Sequence, residues 1–256
     1  MNFTKELRLN IAVSPLPWFF FGLTLLLHIL WPLSSGAFQS TLTTLAVLTL
    51  ALASGFSAIQ ALGIRTTFYM FGLVSLLAYA VERVGSSTGI PFGEYSYTDN
   101  LQPQVLSVPL AVVLAWFAMT WVMCVVIHGL PVSLPTKAIV SGLLLTSWDF
   151  YLDPQMTRVE YWVWHTTTPS LPGISGIPLT NYLGWFFAGT MMSFIILRFI
   201  REQRVNRFLP KVVLLWTIVG GFILHAIFWR NLTVGLWGAA AMGTIWIVVE
   251  KTTRRT

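Results

Sequence analysis

Trp148-Asp149-Phe150-Tyr151-Leu152-Asp153 closes the apolar run 137–152 of this 256-residue chain. A spacing of four places Asp149 and Asp153 on one face of a helix, and the run that carries them reads as a helix inside or bordering a membrane. Ionisable groups at membrane depth cost about 2.5–3.5 kcal/mol each on insertion scales, and they are retained where they pair, bind ions or handle protons. The hexapeptide therefore sets both expectations for the chain, a bundle of membrane helices and an acid centre within it.

Composition supports the first expectation. Apolar residues make up 55% of the chain and charged residues only 9%, and the mean hydropathy is +0.73, as in an integral membrane protein. Spanning segments use up most of the length, so residues 1–256 are expected to form a single integral membrane domain. The one cysteine, Cys124, lies in an apolar run and has no partner for a disulfide or a thiolate cluster. A net charge of +6 and a pI near 9.8 raise the question of nucleic acid. The basic residues are scattered at segment ends, however, which points to anionic lipid instead.

Crossing a hydrocarbon core of about 30 Å takes about 20 residues. Eight runs qualify, some of them short, at 15–33, 41–63, 66–84, 105–128, 137–152, 181–199, 211–229 and 232–249. The fold class expected is all-α, a polytopic transmembrane helical bundle of about eight spans, with seven as the alternative count. The first run follows Lys5 and Arg8 and resembles a signal peptide with Ser35-Gly36-Ala37 as a small-residue site. Pro15, Pro17 and Trp31-Pro32 are poor residues for such a segment, so an uncleaved span is expected.

Cytoplasmic loops carry an excess of Lys and Arg. With eight spans and both termini cytoplasmic, Lys5, Arg8, Arg65, Lys137, Arg198, Arg201, Arg204, Arg207, Lys211, Lys251, Arg254 and Arg255 fall inside, and only Arg83, Arg158 and Arg230 outside. The acids segregate the other way. Glu82, Glu94, Asp99, Asp149, Asp153 and Glu160 lie at the external end, against Glu6, Glu202 and Glu250 inside.

Two long connections, 85–104 and 153–180, lie on the external side and share a phrase. Gly89-Ile90-Pro91-Phe92-Gly93-Glu94-Tyr95 aligns with Gly176-Ile177-Pro178-Leu179-Thr180-Asn181-Tyr182 at four of seven positions. Read as parallel repeats entering successive spans, the phrase makes Glu94 and Asn181 equivalent. Both loops are rich in Gly, Pro and aromatic residues, and they are expected to fold back over the bundle.

The Asp149/Asp153 pair is the sharpest candidate for chemistry. Two close carboxyl groups in a low dielectric repel, so the pair is expected to retain a proton near neutral pH and to serve as a general acid. The alternative is that Asp153-Pro154 ends the helix while Asp149 pairs with Arg83 or Arg158. Glu82 reads equally as a structural partner of Arg83 or as a catalytic carboxylate. Glu94, flanked by Gly93 and by Tyr95-Ser96-Tyr97, reads as functional, whereas Asp99 and Glu160 read as solvated or capping groups.

Tyr161-Trp162-Val163-Trp164-His165, with Trp148, Tyr151 and Trp185, forms an interfacial aromatic belt by default. Aromatic faces also hold a cation within about 6 Å of a ring centroid, and these rings are close to the acids in sequence. His28, His128, His165 and His225 raise the alternative of a metal site, but none is paired at i, i+4. No metal is expected. No glycine-rich nucleotide fingerprint follows a strand, so no nicotinamide or flavin cofactor is expected either.

A buried acid, aromatic walls and a little water suit protonation of an unactivated alkene, with water capturing the tertiary carbocation as an alcohol. Three alternatives stand beside this reading. A prenyltransferase would use Asp149-x-x-x-Asp153 to hold magnesium diphosphate, although no second aspartate motif or Lys/Arg cluster accompanies it. An end-group cyclase would share the protonation step. A transporter would use the external acids as an ion site.

Over residues 70–190 the chain resembles the carotenoid biosynthesis proteins of the CruF type, carotenoid 1,2-hydratases that include bisanhydrobacterioruberin hydratases and γ-carotene 1′-hydratases. The resemblance rests on Glu82 followed by Thr88-Gly89-Ile90-Pro91-Phe92-Gly93-Glu94-Tyr95-Ser96-Tyr97, on Val108-Pro109, on Trp148-Asp149-Phe150-Tyr151-Leu152-Asp153-Pro154-Gln155-Met156, and on Gly176-Ile177-Pro178 with Asn181-Tyr182 and Gly184-Trp185. The flanks match in hydropathy alone. The resemblance implies a multi-pass cell-membrane enzyme that adds water across the terminal C1=C2 bond of an acyclic carotenoid end group, without a cofactor. It also implies a carotenoid substrate in a lipid surround, and association with other enzymes of the pathway. On the chemistry, Asp149 or Asp153 is expected to donate the proton and Glu94 or Glu82 to position water. Trp148, Tyr95, Tyr97, Trp162, Trp164 and Asn181 are expected to line the substrate site.

Overall fold

The computed structural model describes residues 14–254. Lys5, Glu6, Arg8 and Arg255 lie outside the described residues. Eight helices follow one another: α1 (Leu16–Leu30, continued by a 3-10 turn Trp31–Leu33), α2 (Gly36–Leu62), α3 (Ile64–Thr88), α4 (Leu110–Ile127), α5 (Leu134–Arg158), α6 (Leu179–Ile200), α7 (Phe208–Phe222, continued by a π-helical turn Ile223–Phe228) and α8 (Leu232–Thr253). Seven of them are long and apolar enough to cross a membrane. The exception, α5, is 25 residues long, but Lys137, Asp149, Asp153, Arg158 and several hydroxyl residues dilute its apolar content. Its eleven buried residues include Ser141, Thr146, Ser147 and both aspartates, so its polar side chains face the protein rather than lipid.

Elsewhere the outer surface is apolar. Phe19, Leu33, Phe68, Leu76 and Phe187 are each more than half exposed, as a lipid-facing belt requires. The central helix is α4, whose residues from Trp116 to Ile127 are all buried. Glycine permits one chain reversal and one close helix approach. Gly63, at φ 79°, is the single residue between α2 and α3, and its positive φ lets the chain reverse there without Cβ strain. Gly142 on α5 faces α6, where an added Cβ would meet the Phe186 carbonyl at 3.0 Å. The two helices therefore pack nearly backbone to backbone, as small residues allow in membranes.

The connections 89–109 and 159–178 do fold back, and they pair with each other. Strand β1 (Tyr95–Tyr97) runs antiparallel to β4 (Trp162–Trp164), with Tyr95 opposite Trp164 and Tyr97 opposite Trp162. Two small hairpins complete the connections: β2 (Gln104–Val105) with β3 (Val108–Pro109), and β5 (Ser170–Leu171) with β6 (Ile174–Pro178). The span expected at 105–128 therefore begins later, at Leu110, because 104–109 forms the β2–β3 hairpin. The span expected at 137–152 continues through Pro154 to Arg158.

An internal repeat is present in a different register from the one expected. Each hairpin ends in a proline followed by leucine, where a helix begins, and that leucine amide donates back to the carbonyl of the proline preceding the hairpin: Leu110 to Pro103 at 2.9 Å and Leu179 to Pro169 at 2.8 Å. The counterpart of Ile177-Pro178-Leu179 is thus Val108-Pro109-Leu110. Gly89–Tyr95 leads into a strand rather than a helix. In the shared Gly-Ile-Pro phrase Gly89 and Gly176 both adopt positive φ (78° and 91°), but Gly89 caps the end of α3 and Gly176 lies within β6. Glu94 and Asn181 are not equivalent.

Candidate active site

Three carboxyl side chains are buried at the loop end of the bundle: Glu82 on α3 (4% exposed), Asp149 (0%) and Asp153 (2%) on α5. The i, i+4 spacing and the close approach of α6 bring both aspartates to Asn181, itself 1% exposed. The Asn181 Nδ2 donates to Asp149 Oδ2 at 2.6 Å and to Asp153 Oδ2. Trp162 Nε1 donates to Asp153 Oδ1 at 2.7 Å. Asp149 Oδ1 is buried without a protein partner. Neither aspartate forms an ion pair. The salt bridges among the described residues are Arg207–Glu250 and Lys211–Glu250, at the opposite end of the bundle. Arg83 and Arg158 are exposed, and the Arg158 guanidinium lies 5.0 Å over the Trp229 ring, so the pairing of Asp149 with either arginine does not occur.

Glu82 is held differently. Its Oε2 accepts from Tyr95 Oη and Tyr97 Oη, both at 2.6 Å, and its Oε1 accepts from Trp116 Nε1 at 2.7 Å. Hydrogen bonds to a charged group contribute about 1.5–3 kcal/mol each, so three donors offset much of the cost of burying this side chain. Burial, followed by the neighbouring Glu82 charge, holds the Tyr95 phenol well above its ordinary pKa, and it remains a donor. The pairing of Glu82 with Arg83 is replaced by this three-donor cage. Its second member, Tyr97, is brought in by the β1–β4 pairing.

Glu82 and Asp153 line one cavity of about 330 Å³, together with Tyr95, Tyr97, Trp148, Trp162, Trp164 and Asn181. Asp149 is behind this wall. Trp185, which also lines the cavity, stacks on Trp116 with centroids 4.0 Å apart and receives the edge of Trp148 at 5.7 Å. The cavity extends between α1 and α7 to Ile29, Ile223 and Phe228, side chains exposed on the lipid-facing surface.

Glu94 is not part of this arrangement. Its side chain is exposed and accepts from Thr166 Oγ1 at 3.2 Å, because the turn at Gly93 directs it away while Tyr95 points inward. Trp116 escaped the sequence reading, since nothing marks one tryptophan in an unbroken apolar run. The only signal available was general, that a buried indole N–H needs an acceptor. The histidines do not gather. His28 Nδ1 accepts from Trp216 Nε1, His225 donates to the Tyr151 carbonyl, His165 contacts Ser96 and His128 contacts Gln203. Among the described residues no three His, Cys, Asp or Glu side chains are grouped as metal ligands.

Apolar helices enclosing caged acids, in a cavity that reaches the lipid-facing surface, define an integral membrane protein with an intramembrane acid site. The chain belongs to the carotenoid biosynthesis protein family, whose profile matches residues 35–250 and so includes the flanks as well as the central motifs. It is similar to bisanhydrobacterioruberin hydratase of Haloarcula japonica, 28% identical over 123 residues. That stretch is 46% of this chain and 40% of the relative, so the match spans less than half of the relative's length. No solved structure matches the chain.

Proposed function

We propose that this protein hydrates the terminal C1=C2 double bond of an acyclic carotenoid end group to a tertiary alcohol. The observation that carries the reading is the Asp149/Asp153 pair, two buried carboxyl groups bridged by one Asn181 nitrogen with no cation beside them. Two ionised carboxylates about 4 Å apart repel by about 4 kcal/mol even at an effective dielectric of 20. One retained proton removes that repulsion and makes the pair a general acid.

Asp153 faces the cavity and is the proton donor in this scheme, with Asp149 behind it as the partner that shares the proton. The Asp153 O–H bond breaks as its proton bonds to C2, and the alkene electron pair leaves a tertiary cation at C1. Trp148, Trp185, Trp162 and Glu82 line the same cavity as Asp153, and in this scheme the ring faces and the Glu82 carboxylate stabilise the cation. Water bonds to C1 and its proton returns to the aspartate pair, so atoms and charge balance without an oxidant or reductant. The cavity accommodates an end group and its lipid-side mouth suits the remaining polyene. The Lys and Arg residues at the opposite end of the bundle support cytoplasmic termini.

Mass spectrometry of pigments from a lycopene-producing host, grown with and without oxygen-labelled water, tests the reading. A product heavier by one labelled water is expected. Unchanged mass with altered retention would assign end-group cyclisation instead, and unaltered pigment would refute action on this substrate.

A further inference from the structure

The acid cavity has an apolar mouth, but the proposed reaction consumes water. A second, polar cleft lies at the loop end of the bundle, lined by Gln39, Ser40, Asp99, Asn100, Arg158 and Glu160 among others. Sequence neighbours in three segments divide between the two cavities. Thr43 lines the acid cavity and Thr44 the polar cleft; Leu101 and Gln102 divide in the same way, as do Trp162 and Tyr161.

Among the described residues one hydrogen bond between side chains joins the two sides, Thr43 Oγ1 with Tyr161 Oη at 2.8 Å. Thr43 Oγ1 also accepts from Trp31 Nε1 at 2.7 Å and donates to the Gln39 carbonyl at 2.9 Å. Its single proton is thereby used and one lone pair remains, so in this bond Thr43 accepts and the Tyr161 hydroxyl is the donor. Tyr161 is 1% exposed and fills the gap. Thr43, on the inner side of that bond, lines the same cavity as Asp153 and Trp162, and Trp162 donates to Asp153.

We propose that Tyr161 and Thr43 form the gate through which water passes from the polar cleft into the acid cavity. The purpose of the gate rests on the hydratase reading, but its existence is testable without catalysis. In the full chain, Ala46→Cys places a thiol on the cavity side and leaves Thr43 and Tyr161 intact, while the native Cys124 is buried and reports the background. A charged, water-soluble thiosulfonate reagent is expected to modify the Ala46→Cys protein slowly. It should react roughly ten-fold faster when Tyr161→Ala is added, since thiol reactivity follows access. Tyr161→Phe, which keeps the ring and loses only the hydroxyl, should give an intermediate rate and covers the case in which the alanine variant fails to fold. Equal rates with Tyr, Phe and Ala at 161 would overturn the gate.

The catalytic readout is separate. Tyr161→Phe and Thr43→Val, which remove the bond that holds the gate shut, should form more alcohol per substrate consumed than the parent, because water reaches the cation sooner and proton loss competes less. Parent-like alcohol yield in both would also overturn the gate, whereas a parent that forms no alcohol refutes the hydratase reading and leaves the thiol rates to decide.

Discussion

Trp116 and Trp185 stack with their planes 24° from parallel, and each stands six residues beyond the leucine that opens its helix, Leu110 and Leu179. The ring pair therefore joins the two repeated halves of the structure at corresponding positions. Trp116 donates to Glu82, and Trp185 lies one turn beyond Asn181, which holds the aspartates. Two differently held acid groups are thus connected through one stacked pair.

Trp116→Phe should separate these roles, since it keeps an aromatic ring and removes the donor to Glu82. Losing one hydrogen bond to a buried charged group is expected to cost about 1.5–3 kcal/mol. A lower thermal midpoint in detergent, with a reduced alcohol yield, is the expected result. An unchanged midpoint would mean that the bond contributes nothing to stability.

Asp153→Asn keeps the shape of the side chain and cannot deliver a proton. Turnover is expected to fall by about 10²–10⁴, the usual contribution of a general acid, with the protein still eluting as a folded species. Asp149→Asn should reduce turnover less, because that side chain does not reach the cavity. The reverse order, measured by pigment yield, would make Asp149 the donor.

Glu94→Gln should leave turnover within about two-fold of the parent, in line with the small effect of surface substitutions away from a site. Its carboxylate is exposed and bonded to Thr166. A large loss of alcohol yield would return Glu94 to the reaction.

Gly142→Val tests the helix contact that delivers Asn181. An added Cβ meets the Phe186 carbonyl and the Thr190 amide at 3.0 Å. The backbones of α5 and α6 must then separate, which typically costs about 1–3 kcal/mol. Both stability and alcohol yield should fall, the latter because the Asn181 bridge lengthens. Unaltered yield would show that the bridge tolerates the shift.

Much of the architecture was legible in the chain itself. Hydropathy located all eight helices to within a few residues at most ends, because a span must satisfy its own backbone and present apolar side chains wherever lipid is the solvent. Periodicity alone placed Asp149 and Asp153 on one helix face. Tertiary structure decided the rest: that Asp153 rather than Asp149 reaches the cavity, that Tyr95, Tyr97 and Trp116 enclose Glu82, that Glu94 turns outward, and that the true repeat begins at the hairpin prolines. Those outcomes depend on contacts between residues far apart in the chain, such as Glu82 with Trp116 or Asp149 with Asn181. Local pattern reports which face of an element is polar, but only the packing of neighbouring elements decides what that face meets.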